Sequence, residues 1–129
     1  MQQIYDNCFV CGNKNPIGLK MNYIYKDGIA SSSFSLSNHY EGYNNIIHGG
    51  IVAAVLDEAM AKAILHKNIK AVTANLNIDY KKPLKPEDLY IVEGSITVIR
   101  KKIILAQALI FDGNTIYAQA DAKFFILSA

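Results

Sequence analysis

A chain of 129 residues with 51% hydrophobic and 19% charged residues has the make-up of a packed globular protein and excludes a disordered one. One domain over residues 1–129 is expected, large enough to bury a core without disulfides or metals. Thirteen Lys and Arg against eleven Asp and Glu leave a net charge of +2, too near balance for nucleic acid to be the expected partner. No stretch reaches the roughly 18 apolar residues of a membrane span and residues 1–7 are polar, so the expectation is a cytoplasmic protein with no membrane partner.

In chain order, both cysteines come first, in Cys8-Phe9-Val10-Cys11. The pair reads as half a metal site, as a redox dithiol, or as structural. A closed zinc site needs four ligands, and His39, His48 and His66 do not stand at knuckle spacing. A thioredoxin-like dithiol opens a helix, whereas Gly12-Asn13-Lys14-Asn15-Pro16 follows here. The structural reading is favoured, with no metal expected. Residues 13–18 form a turn cluster. Residues 19–25 alternate apolar and polar as a strand does, Lys26-Asp27-Gly28 reads as a hairpin turn, and residues 29–36 as the returning strand. Residues 37–45 are polar and irregular, a loop.

A long helix is expected from His48-Gly49-Gly50 to about His66. Across residues 51–65 only Asp57, Glu58 and Lys62 are not apolar, so the helix should be buried on nearly every side. The rest is strand-like. In residues 72–80, Leu76, Ile78 and Tyr80 share one face while Asn75, Asn77 and Asp79 share the other. A connection with Pro83 and Pro86 follows, then strands at 89–99, 103–111 and 115–127, broken at Arg100-Lys101-Lys102 and Asp112-Gly113-Asn114. Two strands, one helix and four strands make an α+β chain. A helix apolar all round asks for a curved, mostly antiparallel sheet wrapped about it. Such a sheet leaves an edge strand free, which a second chain commonly covers.

Two features point to chemistry. Gly49 and Gly50 at a helix start leave backbone N–H groups unshielded, with the positive helix end behind them. This suits an oxyanion hole, or merely a tight turn that needs small residues. Asp57 lies inside an apolar helix, where a carboxylate is costly unless paired or facing a cavity. Glu58, about 100° around the helix, pairs naturally with Lys62 at i, i+4. That leaves Asp57 as the acid without a structural explanation, a functional candidate. Gly49 and Asp57 are about 12 Å apart along the helix. That is too far to serve one carbonyl, but two antiparallel copies of the helix could bring the glycines of one chain to Asp57 of the other.

His48-Gly49-Gly50 with Asp57 nine residues after the His, the run Thr73-Ala74-Asn75-Leu76-Asn77-Ile78-Asp79-Tyr80, and Pro83 together resemble the hot-dog-fold acyl-CoA thioesterases of the phenylacetyl-CoA thioesterase type. The opening Cys8-Phe9-Val10-Cys11-Gly12 with Asn15-Pro16-Ile17-Gly18-Leu19 is similar to a leader in many bacterial members. The resemblance implies a hot-dog fold, hydrolysis of an acyl-CoA to free acid and CoA without a cofactor, and a homodimer or dimer of dimers. It implies Gly49, with Gly50 as a second donor, at the thioester oxygen, and Asp57 of the partner subunit as general base or nucleophile. Thr73 would orient the water, and His48 would stabilise the turn rather than act as a base. Some relatives carry Asn or Gln six residues before the His, assisting the oxyanion. Gly42 stands there, leaving Asn45 as a weak substitute.

For substrate binding, Tyr43 and Tyr40 would line or pack the acyl pocket. The clusters Lys81, Lys82, Lys85 and Arg100, Lys101, Lys102 either meet CoA phosphates or are solvated turns. Two other classes compete: a non-catalytic acyl-ligand binder, which has no need of Asp57, and a hydratase or dehydratase, which pairs a catalytic His with an acid in another context.

Overall fold

The long helix forms where the apolar run places it. In the computed structural model, which describes residues 5–128, it is α1, Gly49–Leu65, with His48 as its N-cap. The polar opening segment ahead of Tyr5 lies outside the described residues. Six strands accompany the helix: β1 (Ile24–Lys26) and β2 (Ile29–Phe34) before it, then β3 (Lys70–Tyr80), β4 (Tyr90–Arg100), β5 (Ile103–Asp112) and β6 (Thr115–Ser128). They form one sheet in the order β1-β2-β4-β5-β6-β3, and every pairing is antiparallel. One helix against one six-stranded antiparallel sheet is the hot-dog arrangement expected. No helix among the described residues is long and apolar enough to cross a membrane.

The first hairpin turns at Asp27 (φ 54°) and Gly28 (φ 83°), the left-handed pair that a two-residue turn needs, and registers Lys26 against Ile29. The strand expected over residues 19–25 is cut to three residues. Lys20 takes a φ of 54°, which breaks the extended run. Leu19 and Met21 instead donate their N–H groups to Phe9 and Val10, at 2.8 Å each. The alternating pattern there reflects packing against the cysteine leader. The second strand stops at Phe34, and beyond it the Leu36 carbonyl accepts from Glu87 N–H at 2.8 Å. Within the expected loop, Asn38–Tyr40 makes one 3-10 turn capped by the Ser37 side chain.

The core lies between α1 and the concave sheet face. Val52, Val55, Leu56, Ala59, Met60, Ala63 and Ile64 point inward onto Val92, Ile104, Ile110, Ala118 and Phe124. Helix and sheet backbones come close at Gly94 of β4. A Cβ there would stand 2.5 Å from the Ala59 carbonyl carbon, so only glycine lets the helix backbone rest on the strand. The opposite face of α1 departs from the all-round burial expected. Ala53, Ala54, Asp57, Glu58 and Ala61 are only half-buried. Six strands curve around one side of the helix and leave a stripe of small residues with little cover.

At the far edge, β3 pairs with β6 alone. Its register shifts between Thr73 and Asn75, and an inserted residue in a ladder reverses side-chain parity. Ala71 before the bulge, and Leu76 and Ile78 after it, therefore all pack towards the core.

Candidate active site

That bulge decides where Thr73 points. It shares the helix-facing parity of Ala71, and its Oγ1 donates to Asp57 Oδ1 at 2.7 Å. Asp57 is half-buried and Thr73 exposed, so the carboxylate sits at the surface end of the small-residue stripe. A hydrogen bond of this kind orients a carboxylate and leaves its second oxygen open to another proton. Glu58 takes the expected partner, with Lys62 Nζ 3.9 Å from its Oε2. Cys8 Sγ lies 3.5 Å from the same oxygen. Burial first, then the Glu58 carboxylate, push the Cys11 thiol up to about 12.

At the helix start the two glycines are not equivalent. Gly50 N–H donates to His48 Nδ1 at 2.8 Å, so it is already engaged and the proton of a neutral imidazole is on Nε2. Gly49 N–H has no acceptor among the described residues. His48 thus caps its own helix. Its backbone is pinned in turn, since His48 N–H donates to Tyr40 O at 2.8 Å and Ile47 N–H to Leu84 O at 2.9 Å. Tyr80 donates from its hydroxyl to Gly49 O at 2.8 Å and braces the turn from β3. The sequence put Tyr80 on one face with Leu76 and Ile78. Nothing in alternation alone announces that hydroxyl contact.

A cleft of about 610 Å³ opens in front of this helix end, lined by Tyr43, His48, Gly49, Tyr80, Lys81 and Lys82 among others. Tyr43 is 84% exposed. Lys81 and Lys82 are fixed in backbone by N–H bonds from both to Tyr117 O, at 2.8 and 3.0 Å. Asn45 is exposed at the loop tip with φ 63°, its N–H bonded to the Glu41 carboxylate at 2.8 Å, and does not line the cleft. Five of the residues singled out in the sequence therefore meet in one cleft. Asp57 and Thr73 meet elsewhere, and neither lines it. One chain carries an electrophile-binding half and a carboxylate half, held apart by two turns of helix.

Comparison with known proteins gives the chain a family. The family model described as the thioesterase superfamily matches residues 44–118, from the loop before the glycines to β6. Over 98 residues the chain is 32% identical to acyl-coenzyme A thioesterase THEM4 of Mus musculus, covering 74% of this chain and 42% of that one. It thus spans less than half the length of that relative. Its fold matches the Escherichia coli PaaI protein from the phenylacetic acid degradation operon, with a TM-score of 0.79 at 18% identity, covering 86% of this chain and 82% of that one. It also matches a hypothetical thioesterase of Streptococcus pneumoniae solved with coenzyme A, with a TM-score of 0.78 at 17% identity, covering 84% and 89%. The pneumococcal protein has been solved as two alanine variants, one of an aspartate and one of a threonine sixteen positions later. Asp57 and Thr73 are separated by the same 16 positions.

Proposed function

This chain belongs to the thioesterase superfamily, and we propose that it hydrolyses an acyl-CoA thioester, at sites each shared by two copies of the chain. The observation that carries the reading is the division of labour along α1. Asp57 is oriented by Thr73 at one point, and a Gly49 N–H without an acceptor among the described residues stands at the positive helix end. The THEM4 relative and the CoA-bound neighbour support the substrate class.

The reaction needs a base and an oxyanion site. With Oδ1 of Asp57 held by Thr73, Oδ2 takes a proton from water as the water oxygen attacks the thioester carbonyl. The charge that develops on the carbonyl oxygen is met by Gly49 N–H and the helix end. Collapse of the tetrahedral intermediate breaks the C–S bond, and the CoA thiolate recovers the proton from Asp57. Attack by Asp57 itself uses the same groups: the C–S bond breaks as CoA thiolate leaves a mixed anhydride, and water then cleaves the anhydride to the free acid and the Asp57 carboxylate, its proton neutralising the thiolate. His48 serves the oxyanion site by holding Gly50 and the turn. Lys81 and Lys82, at the rim of the same cleft, meet the CoA phosphates, while Tyr43 and the apolar wall at Val52 and Leu84 receive the acyl group.

Two copies are required because the halves stand apart within one chain. The free edge of β3 can pair antiparallel with its symmetry mate and extend the sheet without a break. The same two-fold sets one α1 against the other over the small stripe, and Ala53 lies midway between Gly49 and Asp57. Antiparallel helices crossing there place Gly49 of one chain opposite Asp57 of the partner subunit.

The test is a panel of acyl-CoA thioesters assayed by thiol release, on wild type and Asp57→Ala. Turnover in wild type and a loss of roughly 100-fold or more in the variant is expected for an acid–base group. Equal rates in both would end the mechanism. Binding of acyl-CoA with no turnover of any thioester would make the chain a binding module.

A further inference from the structure

On the side of α1 next to Asp57, the leader folds against the helix in an arrangement that thioester hydrolysis does not use. Cys8, Cys11 and Glu58 bring two sulfurs and a carboxylate oxygen within 4.8 Å of one another, all half-buried. The sequence-based expectation of no metal rested on counting histidines. The third group is a carboxylate 50 positions from Cys8, which only folding brings there.

The local backbone is built to hold the sulfurs together. Cys11 N–H points at Cys8 Sγ at 3.5 Å, and Gly12 N–H donates to Cys8 O at 2.9 Å. A side chain at residue 12 is impossible without rearrangement, since its Cβ would lie 2.3 Å from Asp6 O and 2.5 Å from Cys8 N. This closed turn sets both side chains of a Cys-x-x-Cys pair on one side, with an N–H directed at sulfur where a thiolate would accept it.

From this geometry we propose that Cys8, Cys11 and Glu58 bind a zinc-class divalent cation, with the fourth coordination position open to the adjoining cavity. The spacing fits. A sulfur at about 2.3 Å and a carboxylate oxygen at about 2.0 Å from one tetrahedral zinc stand about 3.5 Å apart, and Cys8 Sγ is 3.5 Å from Glu58 Oε2. The ligand types fit as well. Two thiolates select against magnesium and calcium, and the carboxylate favours zinc over copper(I). Two thiolates, a carboxylate and a divalent ion leave one net negative charge, which the Lys62 ammonium, 3.9 Å from Glu58, offsets. The site opens to a cavity of about 570 Å³ lined by Asn7, Ala61, Lys62 and Leu65 among others, which leaves room for a water as fourth ligand. A bound ion would staple the leader to α1 one residue from Asp57, and its binding energy would add to folding stability.

The experiment uses the whole chain, purified reduced and metal-free, titrated with Co²⁺ and then Zn²⁺. One Co²⁺ per chain is expected, with a thiolate-to-cobalt charge-transfer band and the strong visible bands of tetrahedral cobalt, both abolished by Zn²⁺. Cys8→Ser and Cys11→Ser should each weaken Zn²⁺ binding by more than the roughly 10–100-fold that loss of an outer-shell group costs. Glu58→Gln should weaken it at least about tenfold while keeping the charge-transfer band. Zn²⁺ should raise the melting temperature of wild type and not of the cysteine variants. Absence of the charge-transfer band in wild type, which needs no variant to fold, would overturn the proposal. So would equal Zn²⁺ affinity in wild type and Glu58→Gln.

Discussion

Gly94→Ala tests how the helix that carries Asp57 is seated. The added Cβ would stand 2.5 Å from the Ala59 carbonyl carbon, 2.6 Å from its oxygen and 2.8 Å from Met60 N. Ordinary carbon contacts begin near 3.4 Å, so strand and helix must part by roughly 0.9 Å. The obstructing atoms are helix backbone, which cannot swing aside as a side chain does. Ala59 and Met60 are both fully buried, so lifting them opens voids against Val92 and its neighbours. Overpacking a core costs about 1–3 kcal/mol, and an immovable backbone places this change near the upper end, about 3 kcal/mol. For a chain of this length that is a fall in melting temperature of roughly 10–15 °C. Urea unfolding at matched protein concentration measures it. Ser95→Ala, the next residue on the opposite sheet face, is the control and should stay within about 0.5 kcal/mol of wild type. A Gly94→Ala protein as stable as Ser95→Ala would refute the close approach and the helix position drawn from it.

Other outcomes follow from the site itself. Thr73→Val removes the hydroxyl that holds Asp57 at 2.7 Å. The bond is to a charged group, worth about 1.5–3 kcal/mol, so turnover should fall about tenfold to a hundredfold. Thr73→Ser should recover most of it, and an unchanged kcat in Thr73→Val would remove Thr73 from the site. The double change Lys81→Met with Lys82→Met should raise KM for an acyl-CoA several-fold with kcat kept, and leave KM for the matching acyl-pantetheine, which lacks the nucleotide phosphates, unaltered. Equal effects on both substrates would show that the lysines act through the fold instead.

Much of this was legible because periodicity reports burial. The apolar run of residues 51–65 gave the helix, the breaks at Arg100-Lys101-Lys102 and Asp112-Gly113-Asn114 separated the last strands, and Asp57 stood out against its surroundings. Glu58 found Lys62 as the i, i+4 rule expects. What alternation does not encode was missed. The bulge after Thr73 changes parity without any glycine or proline to mark it, yet it is what turns Thr73 towards Asp57. Lys20 is a non-glycine residue with positive φ, and its conformation ends a strand that composition supports. The engagement of Gly50 by His48 needs the cap geometry, because the sequence offers two adjacent glycines as equal donors. The half-open face of α1 was hidden for a related reason. Alanine counts as apolar whether it meets a core or a second helix.

In the proposed mechanism each site takes Gly49 from one chain and Asp57 from the partner subunit, and one complementation measurement tests that sharing. Gly49→Pro removes the N–H and sets the ring Cδ in its place, so no oxyanion can be held there. Residue 49 is the first of the helix, where proline is at home, and His48 already has the extended ψ of 134° that precedes a proline. The nearest atoms a Cβ there would meet are those of the Tyr80 ring and hydroxyl, at 3.6–3.7 Å, ordinary contact distance. Asp57→Ala deletes the carboxylate. Each variant alone should be nearly inactive. Co-expressed with different tags and isolated as the mixed dimer, the pair rebuilds one intact site from the Gly49 of one chain and the Asp57 of the other, and should hydrolyse acyl-CoA at about half the wild-type rate. A mixed dimer as inactive as its parents would place both groups of each site in a single chain and rule out the shared site.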